Sequence, residues 1–285
     1  MAHPSFNGLR VLALESRRAK EIAALIGTFG GLAITAPALR EVPLESNTDA
    51  INFASALIRH DFDAVVFLTG VGTRHLLAVV EHANLREPFL AALTATKVIA
   101  RGPKPLAVLR ELQVPVWAIA PEPNTWHELI ATLDARSAVL PLKHARIAVQ
   151  EYGVSNPALL SALAARGATV TRVPVYQWQL PEDVGPLRAA VVALAAGRVD
   201  VILFTSGIQI VHLWQIAGEM QLEHDMRRQL TRTVIASIGP TTSEELTRHR
   251  LRADLEASHP KMGLLVREAA EKSADLLELK TAQPR

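Results

Sequence analysis

Short apolar runs alternate with longer amphipathic stretches along most of the chain. Continuous apolar strands covered by amphipathic helices are typical of parallel sheets with helices on both faces. The pattern therefore predicts an α/β fold. The clearest predicted strands are 64–68, 97–100, 147–149, 201–204 and 233–238, and the clearest predicted helices are 18–28, 50–60, 74–82, 157–166 and 242–249.

The sequence also contains an internal repeat. Three blocks recur in the same order at offsets of 136, 137 and 137 residues, which indicates a duplication. We therefore predict two similar doubly wound parallel-sheet domains. The matching positions are Arg10 and Arg146, Asp63 and Asp200, and Gly102 and Gly239.

Two proline-bounded segments, 37–43 and 173–181, lie at equivalent places in the repeats, and their composition favours extended chain. If they run side by side, they form a two-stranded linker and make the first domain discontinuous. The expected organisation is a discontinuous α/β domain at 1–38 and 180–270, an inserted α/β domain at 44–172, paired linker strands at 39–43 and 173–179, and a C-terminal tail at 271–285.

Composition narrows the function classes without selecting one. The 285 residues are 49% hydrophobic and 20% charged, and the formal net charge of +2 favours no charged partner. Because the chain has no cysteine, disulfides and thiolate chemistry are excluded. The N-terminus lacks the basic segment and apolar core of a secretory signal, so we expect a cytoplasmic protein. We interpret the uncharged runs 22–39 and 201–218 as strand and helix pairs rather than membrane spans. Because the sequence gives no signal of oligomerisation, we expect a monomer.

The turns after the predicted strands are the candidate binding residues, because open α/β sheets bind ligands at the carboxyl ends of their strands. Gly70 and Gly72 open a helix whose backbone N–H groups suit an anion, although a plain helix start with Thr73 as its cap also fits. Arg101 and Lys104 flank a glycine turn. The candidate turns are 16–18, 69–73, 101–105, 150–153, 205–207 and 239–243.

Other chemistries lack their motifs. Ser206 is outside a Gly-x-Ser-x-Gly elbow, no His-Glu-x-x-His pair suggests a metal, and no complete phosphate-binding glycine loop is present. Residues 227–252 hold six arginines and two glutamates, a local charge of +4. Since no nucleic-acid-binding motif accompanies them, we interpret this segment as an exposed helix face rather than a nucleic-acid surface.

Four segments, taken together, resemble a known family. They are Phe67-Leu-Thr-Gly-Val-Gly-Thr-Arg, Ala100-Arg-Gly-Pro-Lys-Pro, Val175-Tyr-Gln and Ser237-Ile-Gly-Pro-Thr-Thr. In this order, and on a duplicated architecture, the chain resembles uroporphyrinogen-III synthase over about residues 8–270, in particular a bacterial subgroup with Thr-Gly-Val-Gly and Arg-Gly-x-Lys turns. The resemblance implies two domains with a flexible double linker, an active site in the cleft between them and no cofactor.

The resemblance also implies a reaction. Hydroxymethylbilane, a linear tetrapyrrole with eight carboxylates, would be cyclised with inversion of its last ring and loss of water, as a lyase step of heme biosynthesis. Hand-over of the substrate from hydroxymethylbilane synthase is a further implied partnership. The implied catalytic residues are Tyr176 and Thr242. The implied substrate-binding residues are Arg17, Thr69, Gly70, Val71, Gly72, Arg101, Gly102, Lys104, Tyr152, Gly153, Thr205, Ser206, Gly207, Gly239 and Thr241.

The sequence departs from the family pattern in its first repeat, where Gly70 and Pro105 replace residues that carry hydroxyl groups. No hydroxyl role is therefore expected at those positions. Tyr176 either donates a proton to the leaving oxygen or only braces the cleft. A synthase-like regulatory protein that binds a tetrapyrrole or another polyanion without catalysis is the alternative function. A nucleotide-binding protein is a third, opposed by the absent phosphate loops.

Overall fold

The computed structural model describes residues 3–44, 47–151, 153 and 155–282. Of the predicted site residues, Tyr152 lies outside the described part. The strands are β1 (Arg10–Ala13), β2 (Leu32–Thr35), β3 (Arg40–Pro43), β4 (Ala64–Phe67), β5 (Lys97–Ala100), β6 (Ala118–Ile119), β7 (Arg146–Gln150), β8 (Thr169–Val173), β9 (Tyr176–Gln179), β10 (Val201–Phe204), β11 (Val234–Ser237) and β12 (Leu255–Glu256).

Helices connect the strands within each sheet, and the uncharged runs 22–39 and 201–218 are helix and strand pairs as predicted. Across the described residues, no helix combines the length and the apolar character that crossing a membrane requires. The helices are α1 (Ala19–Thr28), α2 (Thr48–Ile58), α3 (Gly70–His82), α4 (Arg86–Ala95), α5 (Pro103–Glu111), α6 (Trp126–Asp134), α7 (Pro157–Ala165), α8 (Gly185–Ala195), α9 (Gly207–Glu219), α10 (Glu223–Leu230), α11 (Pro240–Arg248) and α12 (Met262–Ala282).

Two five-stranded parallel sheets place their repeat-equivalent strands in the same spatial order, β12-β11-β10-β1-β2 and β6-β5-β4-β7-β8, although the chain enters the two sheets at different strands. Strand β3 pairs with β9 in a separate two-stranded sheet. The predicted fold class, two similar doubly wound domains joined by a two-stranded linker, is confirmed. The chain divides into two compact units: unit 1 comprises Met1–Arg40 and Gln179–Arg285, and unit 2 comprises Glu41–Trp178. In unit 1, α12 continues well past residue 270, where we expected a tail to begin.

Successive strand residues point to opposite sides of a sheet, and the central strands consist of consecutive apolar residues, so each sheet is apolar on both faces. In β1, Val11 and Ala13 join the apolar cluster around α1 and α12, whereas Leu12 joins the cluster around α8 and α9. All three are fully buried. Burying one such Val or Leu side chain contributes about 1.5–3 kcal/mol, so these central strands fix the layer arrangement.

The repeated arginines and aspartates meet at the amino edges of the sheets. In unit 1 the Arg10 guanidinium donates to both Asp200 carboxylate oxygens, over 2.6 and 2.9 Å, and the Arg10 amide donates over 2.7 Å. These bonds hold the pKa of Asp200 below its ordinary value. In unit 2 the Arg146 amide donates to Asp63 over 2.7 Å. The same two positions therefore join neighbouring strands in both units.

Candidate functional site

In unit 2, the turn after β4 packs closely against the turn after β5. Thr69 is the N-cap of α3, and its hydroxyl accepts the Gly72 N–H over 3.0 Å. The expectation that Thr73 is the cap is wrong, because its hydroxyl donates back to the Thr69 carbonyl over 2.8 Å. A Cβ on Gly70 would lie 2.8 Å from the Lys104 carbonyl oxygen, so only glycine allows this approach.

A third turn, after β6, joins the same edge of unit 2. Gly102 is the N-cap of α5, and a Cβ there would lie 2.9 Å from the side-chain oxygen of Asn124. Arg101 continues the sheet, since its amide donates to the Phe67 carbonyl over 3.0 Å. Lys104 is exposed. Asn124 was missed from the sequence because β6, which is only two residues long, was not among the predicted strands, so the turn after it was not a candidate.

A buried glutamine lies beneath the α3 turn. Gln150, at the end of β7, has no solvent exposure, and its side-chain N–H donates to the Glu151 carbonyl. A Cβ on Gly72 would lie 2.0 Å from the Gln150 Nε2 atom. Glycine at position 72 is therefore required by the amide packed against it, which is a structural reason for a residue that we had assigned to anion binding.

The turn after β7 is organised by a buried carboxylate. Glu151 is 4% exposed and accepts hydrogen bonds from Ser155 over 2.6 Å and from the Arg172 guanidinium over 2.9 Å. Gly153 has a φ of +56°, and a Cβ there would lie 2.3 Å from the Trp178 ring. The neighbouring predicted residue, Tyr152, is outside the described residues. Gly153 thus allows a backbone conformation and a close ring contact that a side chain would oppose.

Tyr176 is buried in the apolar core of unit 2 and is 3% exposed. Its ring centroid lies 5.3 Å from that of His75 and 6.2 Å from that of Trp178, the latter in an edge-on arrangement. Such packing holds the first residue of β9 against α3. These contacts are packing within unit 2, and both the bracing role and the donor role stay predictions.

In unit 1, the turn after β10 is closed by side-chain hydrogen bonds. The Thr205 hydroxyl donates to Glu15 over 2.6 Å and accepts from the Gln209 side-chain N–H over 2.8 Å. The Gln209 side-chain oxygen accepts the Thr205 and Ser206 amides over 2.8 and 3.2 Å. These two amides are already engaged, so the N–H groups left for a ligand belong to Gly207 and Ile208 at the start of α9.

The turn after β11 holds the predicted Thr242. Gly239 is the N-cap of α11, and the Thr242 amide donates to its carbonyl over 3.0 Å. The Thr242 side chain is 4% exposed, whereas Thr241 is exposed. Ser243, which we had not selected, bonds to Ser237 over 2.9 Å and donates to Glu256. Arg17, in the turn between β1 and α1, is exposed.

The geometry can be compared with known proteins. The family model described as uroporphyrinogen-III synthase HemD matches residues 20–267, which includes both sheets except β1 and every turn above except that of Arg17. The chain belongs to the uroporphyrinogen-III synthase family. The resemblance to the family is confirmed, and so is its link to tetrapyrrole biosynthesis, whereas the subgroup with Thr-Gly-Val-Gly and Arg-Gly-x-Lys turns stays a prediction.

Two solved structures and one sequence relative are similar to the chain over most of its length. A mutant uroporphyrinogen III synthase from the extremely thermophilic bacterium Thermus thermophilus is 24% identical, with a TM-score of 0.73, and the match covers 94% of this chain and 100% of that one. The wild-type protein in another crystal form is 26% identical, with a TM-score of 0.56 and coverage of 94% and 99%. The uncharacterized protein YjjA of Bacillus subtilis is 28% identical over 268 residues, covering 93% of this chain and 96% of its own.

Within each unit of this family member, the predicted residues gather at the carboxyl edge of the sheet, as the open α/β rule requires. The set in unit 2 is Thr69, Gly70, Val71, Gly72, Arg101, Gly102, Lys104, Gly153 and Tyr176; the set in unit 1 is Arg17, Thr205, Ser206, Gly207, Gly239, Thr241 and Thr242. Among the described residues, no group of three or more His, Cys, Asp or Glu side chains is arranged to hold a metal ion. A cavity of about 410 Å³ beside α2 and β8 contains none of the predicted residues.

Proposed function

We propose that this chain is a uroporphyrinogen-III synthase, a lyase that converts hydroxymethylbilane to uroporphyrinogen III with inversion of the last pyrrole ring. The observation that carries the proposal is the family match over 20–267, supported by helix starts at the carboxyl edge of the sheet in both units. The alternative, a regulatory relative that binds the tetrapyrrole without catalysis, would use the same turns. The location of the reaction in a cleft between the domains remains an expectation from the resemblance.

The reaction needs one proton given, one proton removed and strict orientation. The hydroxymethyl C–O bond breaks, the oxygen takes a proton and leaves as water, and the lone pair of the pyrrole nitrogen forms the azafulvenium ion. The substituted carbon of the last pyrrole attacks the exocyclic carbon. Its older bond to the preceding methylene bridge then breaks, and that bridge bonds to the free α-carbon of the ring, which loses its proton. Because closure without the protein gives the uninverted isomer, the protein must hold the chain so that the substituted carbon attacks first. Orientation is therefore the main contribution expected of the protein.

Helix starts in both units suit the substrate's carboxylates. The N-termini of α3, α5, α9 and α11 all lie at the carboxyl edges of the sheets. The first two residues of α3 and of α9 offer backbone N–H groups to a ligand, whereas α5 and α11 begin with proline and offer only those of Lys104 and Thr241. Exposed Lys104 and Arg17 lie at the same edges. Each charge-assisted bond contributes about 1.5–3 kcal/mol, so a few of them suffice to fix the position of a polycarboxylate.

The decisive experiment identifies the product isomer. The chain is incubated with hydroxymethylbilane that is generated enzymatically, and the porphyrinogens are oxidised and separated. We expect the type III isomer in the presence of the chain and the type I isomer in its absence. Type I alone in both samples, with tetrapyrrole binding retained, would favour the regulatory alternative.

Tyr176→Phe separates the two roles of this side chain. If the phenol donates the proton, its loss lowers kcat by about 10²–10⁴-fold, because general acid catalysis contributes that much. The substituted ring still packs on His75, so KM and stability should stay close to those of the unsubstituted chain. Unchanged kcat and isomer ratio would remove the donor role and leave the brace.

Lys104→Gln tests the carboxylate grip, with Arg110→Gln at the opposite end of the same helix as its matched control. Both side chains are exposed. Loss of one charge-assisted bond should raise KM about tenfold for Lys104→Gln. Arg110→Gln should change KM by less than about twofold, since its charge lies a helix length from the turn. Equal effects would contradict the assignment of Lys104 to substrate binding.

A further inference from the structure

A cavity lined by basic residues lies in unit 1, at residues that the proposed reaction does not use. It has a volume of about 400 Å³ and is lined by Arg227, Arg248, His249 and Arg250. Arg227 belongs to α10, and the other three residues end α11 or follow it directly. Basic residues that the sequence places in one charged segment are thus brought around one opening.

The cavity is separate from the strand-end turns. The nine-residue helix α11 begins beside the Gly239 turn and ends at Arg248. At 1.5 Å per residue, the helix places its two ends about 13 Å apart. A ligand at Arg248 and Arg250 therefore occupies the end of α11 opposite to the one where Thr242 lies.

Aromatic contacts hold one of the cations in place. The Arg227 guanidinium carbon lies 4.5 Å from the centroid of the Trp214 ring, and the same side chain donates to the His249 carbonyl over 2.9 Å. The Trp214 and His249 rings are parallel within 3°, with centroids 6.1 Å apart. A guanidinium fixed in this way loses little side-chain entropy when it binds an oxyanion.

The charges around the cavity do not cancel. Arg248 pairs with Glu245 over 2.7 Å, and the His249 ring lies 3.3 Å from the same carboxylate. Counting three arginines against this one glutamate leaves +2 with the histidine neutral. The adjacent Arg228 differs, because it pairs with Asp225 over 2.8 Å and does not line the cavity.

We propose that this cavity binds a small anion with at least two negative charges on oxygen, either a phosphate or a polycarboxylate. The guanidinium groups of Arg227 and Arg250 can donate paired hydrogen bonds to the oxygens of a carboxylate or a phosphate. An anion with two negative charges neutralises the net charge of +2. The size suits a small metabolite, since ligand pockets begin at about 300 Å³. The proposal goes beyond the synthase reaction and does not depend on it.

The test is a titration of the full chain with inorganic pyrophosphate and, separately, with citrate. Ionic strength is held constant with sodium chloride, and binding is followed by calorimetry and by tryptophan fluorescence. We expect saturable binding of at least one of the two anions, and which anion binds distinguishes the phosphate from the carboxylate source. Trp214→Phe should retain the binding heat and lose the fluorescence change.

Arg250→Gln and Arg228→Gln form the matched pair. Loss of one charge-assisted contact should weaken binding about tenfold in Arg250→Gln, and Arg228→Gln should differ from the unsubstituted chain by less than about twofold. Anion binding at the strand-end turns would be insensitive to both substitutions. Absence of saturable binding, or binding that Arg250→Gln leaves unchanged, would overturn the proposal whatever the outcome of the isomer assay.

Discussion

Gly72→Ala tests the packing beneath the α3 turn. The added Cβ would lie 2.0 Å from Nε2, 2.7 Å from Cδ and 2.9 Å from Oε1 of Gln150. Contacts this short force the glutamine side chain to move, and Gln150 has no solvent exposure. Overpacking of a buried site costs about 1–3 kcal/mol. Alanine in a helix returns about 0.5–1 kcal/mol relative to glycine, which leaves a net destabilisation of up to about 2.5 kcal/mol.

Two further variants isolate this contact. Gln150→Ala removes the obstructing amide, so Gly72→Ala in that background should be neutral or stabilising by up to about 1 kcal/mol. Gly27→Ala is the control for intrinsic helix propensity, because Gly27 lies in α1 and a Cβ there would meet no atom within 4 Å. It should stabilise unit 1 by about 0.5–1 kcal/mol, read from far-ultraviolet circular dichroism, because the tryptophans of unit 2 do not follow the unfolding of unit 1.

Urea unfolding of the Trp214→Phe chain measures the effect on unit 2. The three remaining tryptophans, at positions 117, 126 and 178, all belong to unit 2, so their fluorescence follows its unfolding. The double-mutant cycle should give a coupling of about 1–3 kcal/mol between positions 72 and 150. If Gly72→Ala is as stable as the parent, or equally destabilising without Gln150, the packing argument is refuted.

Three other predictions are checked by urea unfolding. Burial lowers the pKa of His212, whose Nδ1–H donates to the Ala38 carbonyl over 2.6 Å. As pH falls, the histidine therefore takes up its proton in the unfolded chain before it does so in the folded chain, and the free energy of unfolding should decrease below about pH 6.5. His212→Gln should remove this dependence on pH. Asp200→Asn should cost about 1.5–3 kcal/mol and Asp63→Asn clearly less, because only Arg10 grips its partner with both guanidinium nitrogens. Thr205→Val should cost about 1–3 kcal/mol, since it leaves Glu15 and the buried Gln209 short of a partner; an unaffected midpoint would show that this network is not stabilising.

The duplicated fold could be predicted because its causes are local and periodic. Apolar runs such as those of β4 and β10 are buried on both faces and stand out from amphipathic helices. The offsets of the repeat also align an arginine and an aspartate that bond to each other within each unit. In each unit these two residues lie at the starts of neighbouring parallel strands, which brings them together.

The contacts within the turns could not be predicted, because they join residues that are distant in sequence. The approach of Asn124 to Gly102 depends on the short strand β6, and the Thr205 bond to Glu15 spans 190 positions. No local pattern distinguishes a glycine that exposes an N–H group from one that makes room for a neighbour. For that reason Gly72 was assigned to anion binding, although its contact with Gln150 gives it a packing role.

Each unit has a buried glutamine near the start of the helix that follows a central strand, but the glutamine belongs to a different element in each unit. At the offset of the second block, Gly72 corresponds to Gln209, and at the offset of the first, Leu14 corresponds to Gln150. Unit 1 thus supplies the amide from its helix, and unit 2 supplies it from its strand. The strand, turn and helix start are the same in both units, although the element that carries the glutamine differs. Under the proposed function, backbone N–H groups at the helix starts bind carboxylates whatever side chains surround them, so the shared backbone serves both units. Residue roles should therefore be transferred between the repeats by backbone position and contact, not by residue type.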